Sequence, residues 1–152
     1  MSFVNEARKE AIKGVKKGQG GPFGAIIVRK DKIIARAHNT VVSGHDPTAH
    51  AEINVIRKAS KKLKTFNLSD CELYSSCEPC PMCFSAIYWA RIKKVYYVAT
   101  RNDAARAGFD DANFYEILNG KKKSTTKMIK VNDKKGLEEF HIWAKKQDKK
   151  LY

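Results

Sequence analysis

The sequence predicts an α/β domain of three layers, a central mixed sheet with helices on both faces. Three observations predict it. Stretches with helical apolar spacing alternate with short runs rich in β-branched and aromatic residues. The 152 residues fit one domain, 1–152, of common size. A hydrophobic fraction of 43% is enough to fill one core.

The elements follow in order. Residues 3–17 place Val4, Ala7, Ala11, Ile12 and Val15 at helical spacing, and Gly18-Gln19-Gly20-Gly21-Pro22 ends that helix. Residues 25–28 read as a strand, with residues 33–37 as its hairpin partner across Lys30-Asp31-Lys32. Residues 41–47 are expected to be a loop. A helix opens at residues 48–52 and runs to about residue 62, with Asp46 or Thr48 as its cap. Residues 72–75 form a short strand. Pro81 suits the first turn of a helix over 82–90, because the amide hydrogen it lacks is unpaired there in any case. Residues 95–99 are expected to be a buried strand, and residues 110–118 to contain a short helix. Residues 119–126 are a polar, lysine-rich hinge. Beyond it, residues 128–131 read as a strand and residues 136–150 as an amphipathic helix with Leu137, Phe140, Trp143 and Ala144 inward. No internal repeat is present.

No run of eighteen apolar residues occurs, so no membrane span is expected. The N-terminus lacks the basic-then-apolar layout of a secretory signal, and the expected compartment is the cytoplasm. Four cysteines in such a chain point away from disulfides. Cys71 lies in an apolar run and reads as a small buried residue. The net charge is +14. An excess of this size can mark nucleic-acid binding, but here it is spread over many lysines with few arginines, and we read it as a solvated surface.

The chemistry concentrates in two motifs. His50-Ala51-Glu52 and Pro79-Cys80-Pro81-Met82-Cys83 supply one imidazole and two thiolates, a ligand set for Zn²⁺. Three protein ligands leave the fourth tetrahedral position to water, as in catalytic sites. Cys77 as a fourth ligand would close that position. Both groups fall on expected helix starts, where amide dipoles favour the thiolate. Glu52 is a poor ligand candidate and is placed to move protons. A redox Cys-x-x-Cys would leave His50-Ala51-Glu52 unexplained.

This His-x-Glu…Pro-Cys-x-x-Cys pattern matches the established signature of zinc nucleobase deaminases. The chain resembles the cytidine-deaminase-like superfamily, and within it the bacterial guanine deaminases, over nearly its whole length. The resemblance rests on Gly21-Pro22-Phe23-Gly24-Ala25, on the stretch from Asp46 to Glu52, on Ser76 to Cys83, on Ala86-Ile87-Tyr88-Trp89-Ala90-Arg91, and on Ala107-Gly108-Phe109-Asp110-Asp111. It implies hydrolytic deamination of guanine to xanthine and ammonia, with Glu52 and Asp111 as catalytic carboxylates. It implies Phe23 and Trp89 as walls around the base, Asn39 on the purine edge, and Asp111 accepting from the ring N–H or amino group. Ala51 and the C-terminal Tyr152 complete the implied substrate contacts. Taken alone, Phe23 and Trp89 also read as core aromatics, Asn39 as a strand terminator, and Asp110 and Asp111 as helix caps. The resemblance further implies a homodimer in which residues 127–152 cross to the partner. Two other readings stand beside it: a tRNA-adenosine deaminase on the same zinc core, which the basic charge favours, and a non-catalytic zinc module that binds nucleic acid.

Overall fold

The computed structural model describes residues 2–133 and 136–151. Helix α1 (Phe3–Lys16) leads into β1 (Gly24–Arg29) and β2 (Lys32–His38), then the single turn α2 (Val41–Gly44) and α3 (Ala51–Leu63). Next come β3 (Glu72–Ser75), α4 (Pro81–Trp89), β4 (Lys94–Tyr96), α5 (Arg101–Arg106), α6 (Asp111–Leu118) and α7 (Glu138–Lys145). The sheet order is β2-β1-β3-β4. β1 pairs antiparallel with both β2 and β3, whereas β3 and β4 run parallel, joined through α4. The expected mixed sheet with helices on both faces is what forms.

β1 explains the layering. As a central strand it is buried on both sides, so its sequence is a continuous apolar run. Ala25 and Ile27 point to one face and pack with Ala51, Val55, Leu73 and Ile87, from α3, β3 and α4. Ile26 and Val28 point to the other face, where Ala7 of α1 joins them. The buried stripe of α1 is Ala7, Ala11 and Gly14, and these small residues let it approach closely. Gly24 is required at that approach: a Cβ there would meet the Ala7 carbonyl oxygen and the Ala11 amide nitrogen. The hairpin turn is the two residues Lys30 and Asp31, both at positive φ, which matches the twist of the flanking strands.

Several elements differ from the sequence reading. Residues 41–44 form a helical turn because the Asn39 side chain accepts from the Val41 amide at 3.0 Å. The N-cap of α3 is His50, not Asp46 or Thr48; those two bond each other instead, Thr48 donating from its amide and hydroxyl to Asp46. α5 was not expected, yet Thr100 and Asp103 form a reciprocal capping box. The strand expected over 95–99 is short and not buried: β4 stops at Tyr96, and Tyr96, Tyr97 and Val98 are exposed, because β4 is an edge with one neighbour. Residues 128–131 form no strand, since among the described residues no strand lies beside them; Met128 is 97% exposed. Leu137, Phe140, Trp143 and Ala144 face solvent rather than inward, and α7 ends at Lys145. Among the described residues no helix is long and apolar enough to cross a membrane.

Candidate metal centre

The two ligand-bearing motifs meet because the helices that carry them start side by side on one face of the sheet. His50 is the N-cap of α3 and Cys80 the N-cap of α4, both in extended backbone, with Pro81 as the first residue of α4. Cys83 is three residues on and lies on the same side of α4. The His50 Nδ1 lies 3.6 Å from the Cys80 Sγ and 3.5 Å from the Cys83 Sγ. A tetrahedral zinc, with bonds of about 2.0–2.1 Å to nitrogen and about 2.3 Å to sulfur, holds such atoms about 3.6 Å apart. All three ligand atoms lie within 4.8 Å of one another. The donor set and its spacing therefore fit zinc. Cys77 stays out of this group and points its thiol at the Thr100 carbonyl, 3.6 Å away. Burial pushes that thiol up to about 12.

The electrostatics favour one thiolate of the pair, at Cys80. A hydrogen bond from Cys83 and another with His50 hold Cys80 well below the usual thiol range, while the contact with Cys80 and burial drive Cys83 up. The Cys80 contact also raises His50. Glu52, in the first turn of α3, is only 4% exposed. Its burial raises its pKa. Its Oε2 lies 3.4 Å from the Cys83 Sγ. Burial and the Cys80 thiolate raise Asp111, the first residue of α6, while His50 lowers it.

A cleft of about 370 Å³ opens over this centre. Phe23, Asn39, His50, Glu52, Cys80 and Asp111 all line it. Cys83 and Ala51 lie buried beneath. Trp89 is not brought to the cleft; it sits on the far side of α4 in a separate depression with Ile53, Ile56 and Phe66, under the Arg91 guanidinium. The reason is helical phase, since nine residues at about 100° each put Trp89 opposite Cys80. Tyr152 lies outside the described residues. The sequence reading gave no role to Phe109, which packs edge-on against Phe23 with ring centroids 4.7 Å apart. Val41, Val42, Pro47, Glu78 and Asp110 also line the cleft. Gly108, at positive φ, turns the chain just before Phe109, but no local pattern in the sequence marks the contact with Phe23.

α6 is fastened to the ligand loop by named contacts. The Tyr115 hydroxyl donates to the Pro79 carbonyl at 2.9 Å. Arg101 makes two guanidinium bonds to Glu78, at 3.1 and 2.6 Å, and lies 3.9 Å over the Tyr115 ring.

Residues 1–99 match the cytidine and deoxycytidylate deaminase zinc-binding region. The guanine deaminase of Bacillus subtilis is 49% identical, over 99% of this chain and 97% of its own length. The X-ray structure of guanine deaminase from Bacillus subtilis superposes with a TM-score of 0.93 at 48% identity, covering 99% of this chain and 96% of that one. A guanine deaminase from Nitrosomonas europaea superposes with a TM-score of 0.68 at 32% identity, over 78% of this chain and 71% of that one. The tRNA-specific adenosine deaminase of Aquifex aeolicus is 46% identical over 64% of each chain. A ligand triad with zinc spacing, a buried glutamate beside it and these matches lead to one conclusion: the chain belongs to the cytidine and deoxycytidylate deaminase zinc-binding family, where it stands with the guanine deaminases.

Proposed function

We propose that this protein deaminates guanine hydrolytically, giving xanthine and ammonia. The observation that carries this choice of base is Asp111, a half-buried carboxylate in the same cleft as the ligand set. Guanine presents N1–H and an amino group as adjacent donors, which a carboxylate accepts. Adenine would set the N1 lone pair against it, leaving a buried acceptor unpaired.

When bound, zinc supplies Lewis acidity that makes water reactive near neutral pH. The chain's own residues do the rest. Glu52 accepts a proton from the attacking water and returns protons to the ring nitrogen and to the departing amine as the carbon–nitrogen bond breaks. Phe23, backed edge-on by Phe109, offers a face for the base. Asn39 meets the purine edge. Ala51 occupies the first position of α3, where its amide is not used by the helix itself. Phe109, not Trp89, lines the cleft within one chain, which supports Phe109 as the aromatic that backs Phe23.

The C-terminal segment supports a homodimer. Leu137, Phe140, Ile142 and Trp143 are exposed on one short helix, and the aromatic edge at Tyr96 and Tyr97 is open as well. Burial of residues 127–152 against a second copy, with exchange across the polar hinge, covers such surfaces. Four free cysteines and thiolate ligands suit a reducing compartment, the cytoplasm.

The test is ammonia release from the zinc-loaded protein across guanine, adenine, cytosine, cytidine, small triazines and a tRNA anticodon stem-loop. Turnover of guanine above the others is expected. Turnover of the stem-loop with guanine inert would replace this function by tRNA-adenosine deamination. Salt-sensitive RNA binding without ammonia release would make the protein a binding module.

A further inference from the structure

β3 faces α3 with Leu73 and Ser75, alternate residues on one side of the strand. Leu73 fills the core there. Ser75 is just as buried, 0% exposed, and breaks the apolar row with a hydroxyl. A hydroxyl in such a place needs partners. Ser75 has two: its Oγ accepts from the Cys77 amide at 3.4 Å and donates to the Glu52 Oε1 at 3.0 Å. A hydroxyl carries one proton, and Glu52 receives it.

The two oxygens of Glu52 are thus treated differently. Oε1 is held by Ser75, and Oε2 faces the ligand set at Cys83. A cysteine that ligates zinc does so as the thiolate and has no proton to donate. In the loaded protein this leaves Ser75 as the side-chain donor to Glu52 among the described residues. The terminal torsion of a glutamate is broad and roughly two-fold, so without that donor either oxygen can turn to the cleft.

We propose that Ser75 is the positioning residue for Glu52, fixing Oε1 so that Oε2 is the oxygen that exchanges protons with the substrate. This rests on Glu52 being the acid–base group. Its effect falls on the chemical step and not on guanine binding or metal retention.

The experiment uses the zinc-loaded full chain. Ser75→Ala is expected to lower kcat about 10- to 100-fold, by analogy with the hydrogen-bond partners that orient the ligands of metal sites. KM for guanine and zinc content per chain should stay near wild type. Ser75→Thr, which keeps the hydroxyl, should restore most of the rate. In a Glu52→Gln background, Ser75→Ala should cause no further loss, because the two act as one unit. Wild-type kcat in Ser75→Ala would overturn the proposal. So would an equal loss in the Glu52→Gln background, or loss of zinc without rescue by threonine, since either marks a merely structural serine. Wild-type turnover in Glu52→Gln would remove the acid–base reading itself, and the proposal with it.

Discussion

At the scale of single residues, the proposed role of Asp111 in holding the base can be tested apart from the metal centre. Asp111 shares the cleft with Glu52 yet opens a different helix, so its loss should leave the ligand set intact. A hydrogen bond to a charged group is worth about 1.5–3 kcal/mol, so Asp111→Ala should lower kcat/KM for guanine about 10- to 100-fold. Zinc content should not change, and adenine turnover should not fall in step. Steady-state kinetics on both bases, with metal analysis, checks this. The legible residues were those whose partners are fixed by short covalent spacing: His50 with Glu52, and Cys80 with Cys83. Trp89 lies outside the cleft of its own chain because its direction depends on helical phase, which its motif does not state. Phe109 was overlooked because its contact with Phe23 spans 86 positions of chain, and no local pattern encodes it.

The critical element is α6. It touches no strand closely and is held against the ligand loop by Tyr115, Arg101 and the Phe23–Phe109 contact. Tyr115→Phe removes only the bond to the Pro79 carbonyl. It is expected to cost about 1 kcal/mol of stability and to raise KM for guanine, because Asp111 moves with the helix. Thermal melts and kinetics of the variant check the two effects together; a lowered melting temperature with unaltered KM would uncouple Asp111 from the docking of α6. The sequence exposed α1, α3 and α4 plainly, through apolar periodicity, a proline at the first turn and the glycines after α1. It hid α5, whose cap lies in Thr100-Arg101-Asn102-Asp103 and whose buried face amounts to Ala104. Periodicity needs several inward positions, and a six-residue helix offers too few. The expected strand at 128–131 shows the converse: a short apolar run, Met128-Ile129-Lys130-Val131, without a described strand to pair with.

For the whole molecule, two outcomes follow. The apolar residues of α7 should be covered in solution, so the full chain should sediment as a dimer and a chain ending at residue 126 as a monomer. Equal sedimentation of the two would remove the exchanged segment as the dimer contact. The second outcome concerns acid. The Lys9 hydrogen bond, with Arg36, lowers Glu6; Thr48 lowers Asp46; Arg29 lowers Asp70; and the Thr100 amide lowers Asp103. Each carboxyl is more acidic folded than unfolded, so below the ordinary carboxylate range the unfolded chain binds more protons. Stability should be full above that range and drain as pH falls through it toward the depressed values. Net charge, already +14, climbs over the same interval and adds self-repulsion. Circular dichroism against pH should show stability falling in acid, with added salt softening the fall.

The tight seat of α1 over Gly24 links two sides of the protein that share no ligand. The peptide just before Gly24 carries Phe23, whose carbonyl receives the Asn39 amide at 2.9 Å, and the Gly24 amide itself is taken by the Ser76 hydroxyl at 3.0 Å. Any bulk that levers the helix outward would tilt this short run, and with it the Phe23 ring and the Asn39 amide, the two groups proposed to meet the purine. Altered base preference should therefore arise from changes along the back of the sheet, at positions such as Ala7 and Ala11, which an inspection confined to the mouth of the cleft would pass over.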